Sequence, residues 1–480
     1  MIAQQDHLVR MPESTNITED AVAFIDQLTQ DQIPPEALRI GIRCVVDGLG
    51  LYVAGSDHET TMIQAELAAD IGGSPEALLL GKGDQRVPAP LAARVLGTAG
   101  HAHDWDDSQV SKDPDHVYGL LTHPTIPVLT ASLVISQMLG GVSGQKFMLA
   151  FLTGFEVETK ISEWMLSLHY ERGFHSSGTV GTFGAFVSAA KLLDLKGDQL
   201  RHGLGLAASF ASGIRCNFGT MTKPLHVGRA SENGVNAALM AARGYTANKT
   251  ALDGPWGFFA VQGGGVSAEK LDEQNFGRPW SIVDPGISIK PYPCGVLTHP
   301  TIDLMVRLVT ENDIKPEAIE SVIVRAGSNI LNPIRYPVAS NHLEAKFSLP
   351  AVLAMVAINR NAGKVEFEDE FVQSDAMQAM QRRIETCLDP EIEAMGFDKM
   401  RSSIEISLKD GSSVLGKADE RYRGGPDNPL TDAEVEAKAR DCCEGTLSEE
   451  ATDALIEAAW QVLDLENSAQ LAQLIQTTGK

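Results

Sequence analysis

Three stretches of this chain, 146–166, 181–195 and 228–243, repeat apolar residues at helical spacing while placing many Gly, Ala and Ser residues among them. Small side chains let helix backbones approach closely, so these stretches demand a tightly packed helical bundle. The flanking sequence reads the same way. Thr18 followed by Glu19 and Asp20 predicts an N-cap with acids in the first turn, and Pro34-Pro35 marks the start of a second helix. Leu38, Ile42, Val45, Leu49 and Tyr52 then recur at a spacing that gives that helix one buried face. Residues 18 to about 270 therefore read as helices throughout.

The pattern changes after Asp284-Pro285-Gly286. Ser321 to Arg325 reads as a strand; Ile404, Ile406 and Leu408 alternate before an Asp410-Gly411 turn and the apolar pair Val414-Leu415, a hairpin signature. The stretch 345–360 is apolar and helical. Farther on, Thr431 and Glu434 have capping-box spacing ahead of two helices that run from acidic to apolar. If these last helices pack back on the first ones, the α+β stretch is an insertion. The expected fold is mainly α: a large all-helical domain built from both chain ends, 1–275 and 425–480, and a smaller inserted α+β domain, 276–424. A length of 480 residues suits two cores better than one. No internal repeat is seen.

Composition narrows the function. With 43% hydrophobic and 21% charged residues the chain is an ordinary globular protein, and a formal net charge of −24 opposes binding to nucleic acid or to an anionic membrane. Six cysteines without a CxxC pair give no zinc ribbon and no thioredoxin motif, so reduced thiols are expected. The opening MIAQQDHLVRMPEST lacks an apolar h-region and no stretch is long enough to span a bilayer, which makes a cytoplasmic location the expectation. There is no GxGxxG behind a strand, no Walker A loop, no GxSxG and no HExxH, so chemistry would rest on side chains or on irregularly spaced ligands.

Four clusters carry such side chains. His101-Ala-His103-Asp104-Trp105-Asp106-Asp107, with Leu121-Thr122-His123-Pro124 after it, packs ionisable groups densely enough to form a site, although a solvated loop gives a similar string. Gly173-Phe174-His175-Ser176-Ser177-Gly178-Thr179 leads into a small-residue helix and offers hydroxyls and N–H groups to an anion; a simple Ser/Thr cap reads the same. Thr222-Lys223-Pro224-Leu225-His226 and Ile289-Lys290-Pro291-Tyr292-Pro293 set two lysines in Pro-flanked turns, either as local positive points for an anionic substrate or as surface lysines.

Together these segments resemble the MmgE/PrpD family, through AGHAHDWDD, LLTHPT, GFHSSGTVGTFGA, TKPLHVGRASENG, SIKPYPCGVLTHPTID, EAKFSLP and RGGPDNPLTDAEVEAKAR, over roughly residues 20 to 470. The resemblance implies a helical domain made from both chain ends, an α+β lid domain, a homodimer, a pocket between the domains, and dehydratase, decarboxylase or epimerase chemistry on a small di- or tricarboxylic acid with no cofactor and no metal. By the same resemblance Asp104, His123, His175 and Lys290 are the catalytic candidates, and Lys223 and Tyr336 the substrate-binding ones. The text around Tyr336 departs from the family pattern. So does HDWDD, where dehydratases of the family commonly read LDFND, and an extended loop, Ser111 to Gly119, precedes LLTHPT. These departures leave the substrate open.

A proton beside a carboxylate is weakly acidic, so its removal needs a base and positive charge where the enediolate forms. The expected division of labour makes His123 the acid or base, Asp104 its orienting group, Lys223 and Lys290 the carboxylate holders, and His175 a second proton carrier. Two rival readings use the same residues: a metal-dependent phosphohydrolase with His103 and Asp104 as ligands, and a non-catalytic polycarboxylate-binding protein.

Overall fold

In a computed structural model, residues 15–110 and 121–476 are described; the loop Ser111 to Gly119 singled out above lies outside them. Helices dominate, so the chain is mainly α. One hydrophobic core collects residues from Ile17 to Ile289 and again from Leu430 to Ile475; a second runs from Tyr292 to Ile406. A third cluster joins Phe218, with Val110 and Leu121 packed against it, to Val296, Leu297, Ile334 and Phe347 from the sheet side. The candidate functional site lies along this third cluster. No helix among the described residues is long and apolar enough to cross a membrane.

The small-residue stretches form the helices Gly144–Trp164, Gly181–Leu192 and Thr222–Ala242. Their glycines are contact points. A Cβ on Gly97 of the helix Ala89–His101 would come within 2.5 Å of Ser231 Oγ and 3.0 Å of the Gly228 Cα, so these two helices touch backbone to backbone. That contact aligns Lys223, in the first turn of one helix, with His101, the last residue of the other. Lys223 is thus in a helix and not in a turn; Pro224 is tolerated there because first-turn N–H groups have no intrahelical partner.

The helix expected to be capped by Thr18 begins two residues earlier, at Ile17 with Asn16 in the N-cap position. Its first N–H groups are capped from afar: Asp253 accepts from Ile17 N (2.9 Å) and Thr18 N (3.0 Å). The reading of continuous helix to residue 270 also needs correction, since Ala77–Leu78 and Arg86–Val87 pair as a short antiparallel ribbon. Pro35–Ala54 starts at its proline as expected. Thr431 and Glu434 form the capping box, with Thr431 N donating to Glu434 Oε2 (2.8 Å) and Glu434 N to Thr431 Oγ1 (3.2 Å). The helix it starts, Asp432–Cys443, packs on Pro35–Ala54, where a Cβ on Gly50 would lie 3.1 Å from the Ala439 Cα.

On the other side, Ile319–Ala326 is central in a four-stranded sheet. It pairs antiparallel with Ser402–Leu408, which pairs with Ser413–Lys417 as the expected hairpin, with Ile406 opposite Val414. Its other neighbour, Ile384–Leu388, runs parallel, with Val322 opposite Ile384. The chain between these parallel strands includes the helix Leu349–Asn359, apolar up to its last residue, as a parallel crossover requires.

Candidate active site

The helix Ala89–His101 ends at His101, and the chain then turns so tightly that Asp104 takes a left-handed backbone, φ 53°. Asp is among the few residues that adopt it at modest cost. The turn aims the Asp104 carboxylate back toward the end of its own helix. There Lys223 Nζ donates to Asp104 Oδ1 (2.9 Å) and to His101 Nε2 (2.6 Å). Lys290 Nζ donates to the same Oδ1 (3.0 Å) and to the Asp104 carbonyl (2.8 Å). Burial by itself would raise the Asp104 carboxyl, but the two ammonium groups overcome it and hold Asp104 well below the ordinary carboxylate range.

His101 is placed by both of its nitrogens. Accepting from Lys223 at Nε2 leaves its proton on Nδ1, which donates to Asp106 (2.7 Å). His123 is set by the loop between them: Nδ1 donates to the Asp107 carbonyl (2.7 Å), and His123 N donates to Ser177 Oγ (3.0 Å). Asp107 in turn accepts from Thr125 Oγ1 (2.6 Å) at the start of the helix Thr125–Met138, so loop and helix hold the ring from two sides. With Nδ1 protonated, His123 Nε2 carries a lone pair, 3.8 Å from Asp104 Oδ1. His175 and His226 face each other through Nδ1 atoms 3.0 Å apart, and the His123 and His175 ring centres are 6.4 Å apart. Burial drives both His123 and His175 well below the ordinary histidine value. Asp106 opposes that fall at His123 and the lysines add to it; at His175, Lys223 adds to it.

Asp104, His123, His175 and Lys223 line one cavity, walled by Tyr170, Phe218 and Leu297 among others. Lys223 Nζ sits 5.3 Å from the Phe218 ring centre and 5.4 Å from that of Phe347, between aromatic faces that screen it from water. Lys290, fully buried, stands behind Asp104 and off the cavity wall. Tyr336 is also off the wall; its hydroxyl donates to the Phe218 carbonyl (2.9 Å). Two of the hydroxyls read as an anion site are engaged within the protein, Ser177 by His123 N and Thr179 by His169 Nε2 (2.9 Å).

Donor atoms of His101, His123 and His175, and of His101, Asp104, Asp106 and His123, lie within 4.8 Å of one another, a spacing a metal ion could bridge. The residues do not fit one. An ammonium already occupies His101 Nε2 and Asp104 Oδ1, a second lies on Asp104, and the Nδ1 atoms of His101 and His123 carry protons engaged elsewhere. His103 does not join Asp104 as a ligand: its Nε2 lies 2.9 Å from the Ala54 carbonyl oxygen and its ring packs on His58.

The sequence reading assigned no role to His101, Asp106, His226, Phe218 or Lys346. His226 carried a signal, because Lys223-x-x-His226 places both on one helix face. Lys346 stood within the family text EAKFSLP without a role, and Phe218 carried no signal.

Fold and site define a mainly helical enzyme built around a buried nest of lysines, histidines and one carboxylate. The chain belongs to the MmgE/PrpD family: the family's N-terminal domain matches residues 19–270 and its C-terminal domain residues 292–462. Among its relatives, the cis-aconitate decarboxylase of Homo sapiens is 26% identical over 470 residues, covering 96% of this chain and 95% of that protein. The Mus musculus cis-aconitate decarboxylase is 26% identical over 96% of this chain and 93% of its own length. A cis-aconitate decarboxylase of Aspergillus terreus is 23% identical over 96% of each chain.

Proposed function

We propose that this enzyme is a lyase or isomerase that works without a cofactor, moving a proton next to a carboxylate of a small di- or tricarboxylic acid. The observation that carries the reading is the His123 Nε2 lone pair, 3.8 Å from Asp104 Oδ1, in one cavity with Lys223 and His175. In the proton-abstraction branch the C–H bond breaks, the proton goes to His123 Nε2, and the electron pair moves into the carboxylate as an enediolate. Lys223 has three N–H donors, two of them engaged by His101 and Asp104, and the third is left for that developing charge. Lys290 acts by fixing Asp104. His175, across the cavity, returns or supplies a proton.

The carbanion can then lose a β-hydroxyl or be reprotonated on its other face. In the decarboxylase branch the same electron pair arises when the C–C bond to CO2 breaks, and a histidine delivers the proton. The names of the relatives make cis-aconitate the first acid to test.

Access supports a lid. The cavity measures about 20 Å³, room for about one ordered water, so a polycarboxylate enters only if a wall moves. Gly295, Val296, Leu297, Pro333, Ile334 and Phe347 form the wall contributed by residues 276–424, which we assign as a lid over an all-helical domain of 1–275 and 425–480. NMR of purified protein with cis-aconitate and a panel of di- and tricarboxylates in D2O tests the reading. Conversion or C–H exchange of at least one acid is expected; a folded protein that does neither with any of them overturns it.

A further inference from the structure

The tight turn that presents Asp104 is gripped by three buried lysines from three distant parts of the chain. Lys346 Nζ donates to the Ala102 carbonyl, Lys290 Nζ to that of Asp104 and Lys438 Nζ to that of Trp105, each at 2.8 Å. Lys346 is 2% exposed, Lys438 6% and Lys290 0%. Burying an ammonium is costly, and a hydrophobic residue of similar size usually serves stability as well or better. Three on the carbonyls of Ala102, Asp104 and Trp105 in one turn therefore ask for a reason beyond folding.

Lys438 has its own counterion, Asp47, at 2.6 Å, and belongs to a helix of the large core. Lys346 has no carboxylate within 4 Å among the described residues. Its bond is to the capping carbonyl of the helix Ala89–His101, the negative end of that helix. It also lies on the sheet side, between Ala345 and Phe347, and its own carbonyl accepts from Gly295 N (3.1 Å). Neither Lys346 nor Lys438 lines the cavity.

We propose that Lys346 and Lys438 are positioning residues that, with Lys290, clamp the 102–105 turn and hold Asp104 left-handed, and that Lys346 completes the clamp only when the sheet side is docked. Closure over a substrate and arming of Asp104 are then one event. An open molecule has a slack turn, an Asp104 free to swing from Lys223, and an idle site.

This inference rests on the functional reading above, and it is tested by a measurement that does not need turnover. Hydrogen exchange of the 102–106 amides is compared in the full-length wild type, K346M, K346R and the paired variant K438M/D47N. K346M should exchange this segment about tenfold faster, as local opening becomes easier. On any acid the wild type converts, K346M should lose about tenfold or more in kcat with KM little changed, the signature of lost alignment in the transition state. K346R, which keeps a donor and the charge, should recover part of both. Wild-type exchange in K346M overturns the clamp, as does a kcat loss without faster exchange. Should K346M fail to fold, K438M/D47N decides from the other end of the turn, and unaltered exchange there overturns the proposal. A wild type that converts no acid defeats the functional reading alone, since the exchange comparison still stands.

Discussion

Lys223 Nζ lies 2.6 Å from His101 Nε2 while Asp106 accepts from the opposite nitrogen of the same ring, so the ring of His101 links a cation to an anion. Burial lowers Lys223 from the usual lysine value, and Asp104 beside it pulls the other way. The arrangement keeps one ammonium at the cavity with its direction fixed.

Replacing Lys223 by Met removes the donor that the proposed mechanism aims at the developing negative charge. Loss of one such donor costs about 10²–10³ in kcat. Steady-state kinetics of K223M on the converted acid check this. A kcat within threefold of the wild type would remove Lys223 from the mechanism.

The pH profile follows from two groups moved in one direction. Burial lowers His123 well below its ordinary value of 6.5, against Asp106 and with Lys290 and Lys223, so the neutral base persists in acid. The rate kcat/KM should stay flat as pH falls through 6.5 and decline only below it. On the alkaline side, lowering of Lys223 should bring the second decline in below 10.5. An acid limb at or above pH 6.5 contradicts this placement of His123. Replacing His123 by Asn should cost about 10²–10⁴ in rate, and it should abolish exchange of substrate C–H with D2O.

Packing and site are joined at Gly228. A Cβ there would overlap Thr98 Oγ1 and the Arg94 carbonyl, forcing apart the helices that carry Lys223 and His101. Overpacking of this kind costs about 1–3 kcal/mol. G228A should therefore melt at a lower temperature and also lose activity, whereas Ala at the exposed Gly140, where the added methyl meets nothing but φ is 79°, should affect stability alone. Full activity in a destabilised G228A would separate the helix contact from the site.

Local chemistry explains what was legible in the sequence. Small residues at helical spacing announced the close helix pairs, because close approach is set by the side chain that is missing. The capping box at Thr431 and the hairpin at Asp410-Gly411 were legible because their partners lie within a few residues. The strand Ile384–Leu388 was not: its sequence, IETCL, has mostly exposed or half-buried residues, and it pairs with a strand some sixty residues away. Thr18 looked like a cap because nothing near it hints that Asp253 does that work.

The site divides similarly. His123, His175 and Lys223 stood in motifs as site candidates, whereas Lys346 and Lys438, though they stand within EAKFSLP and AEVEAKAR, gain a role only from carbonyls 244 and 333 residues away. No spacing rule reaches that far.

A further pH effect concerns stability and comes from His169, which is 2% exposed. Its Nδ1 donates to the Gln262 carbonyl (2.7 Å) and its Nε2 lies 2.9 Å from Thr179 Oγ1, while burial penalises the charge that a second proton would bring. Burial takes it down to about 4 from 6.5, with the bond to Gln262 opposing. Above pH 6.5 both folded and unfolded chains hold it neutral and it adds no slope. As pH falls from 6.5 toward 4 the unfolded chain takes up a proton that the folded one refuses, and stability is lost. At about 1.4 kcal/mol per unit, the loss from this ring approaches roughly 3 kcal/mol. His169→Gln keeps a donor and an acceptor but cannot titrate. Urea unfolding at pH 7 and pH 4 should show a smaller drop for H169Q than for the wild type, even if H169Q starts lower; equal drops would mean that the ring takes a proton in the folded protein.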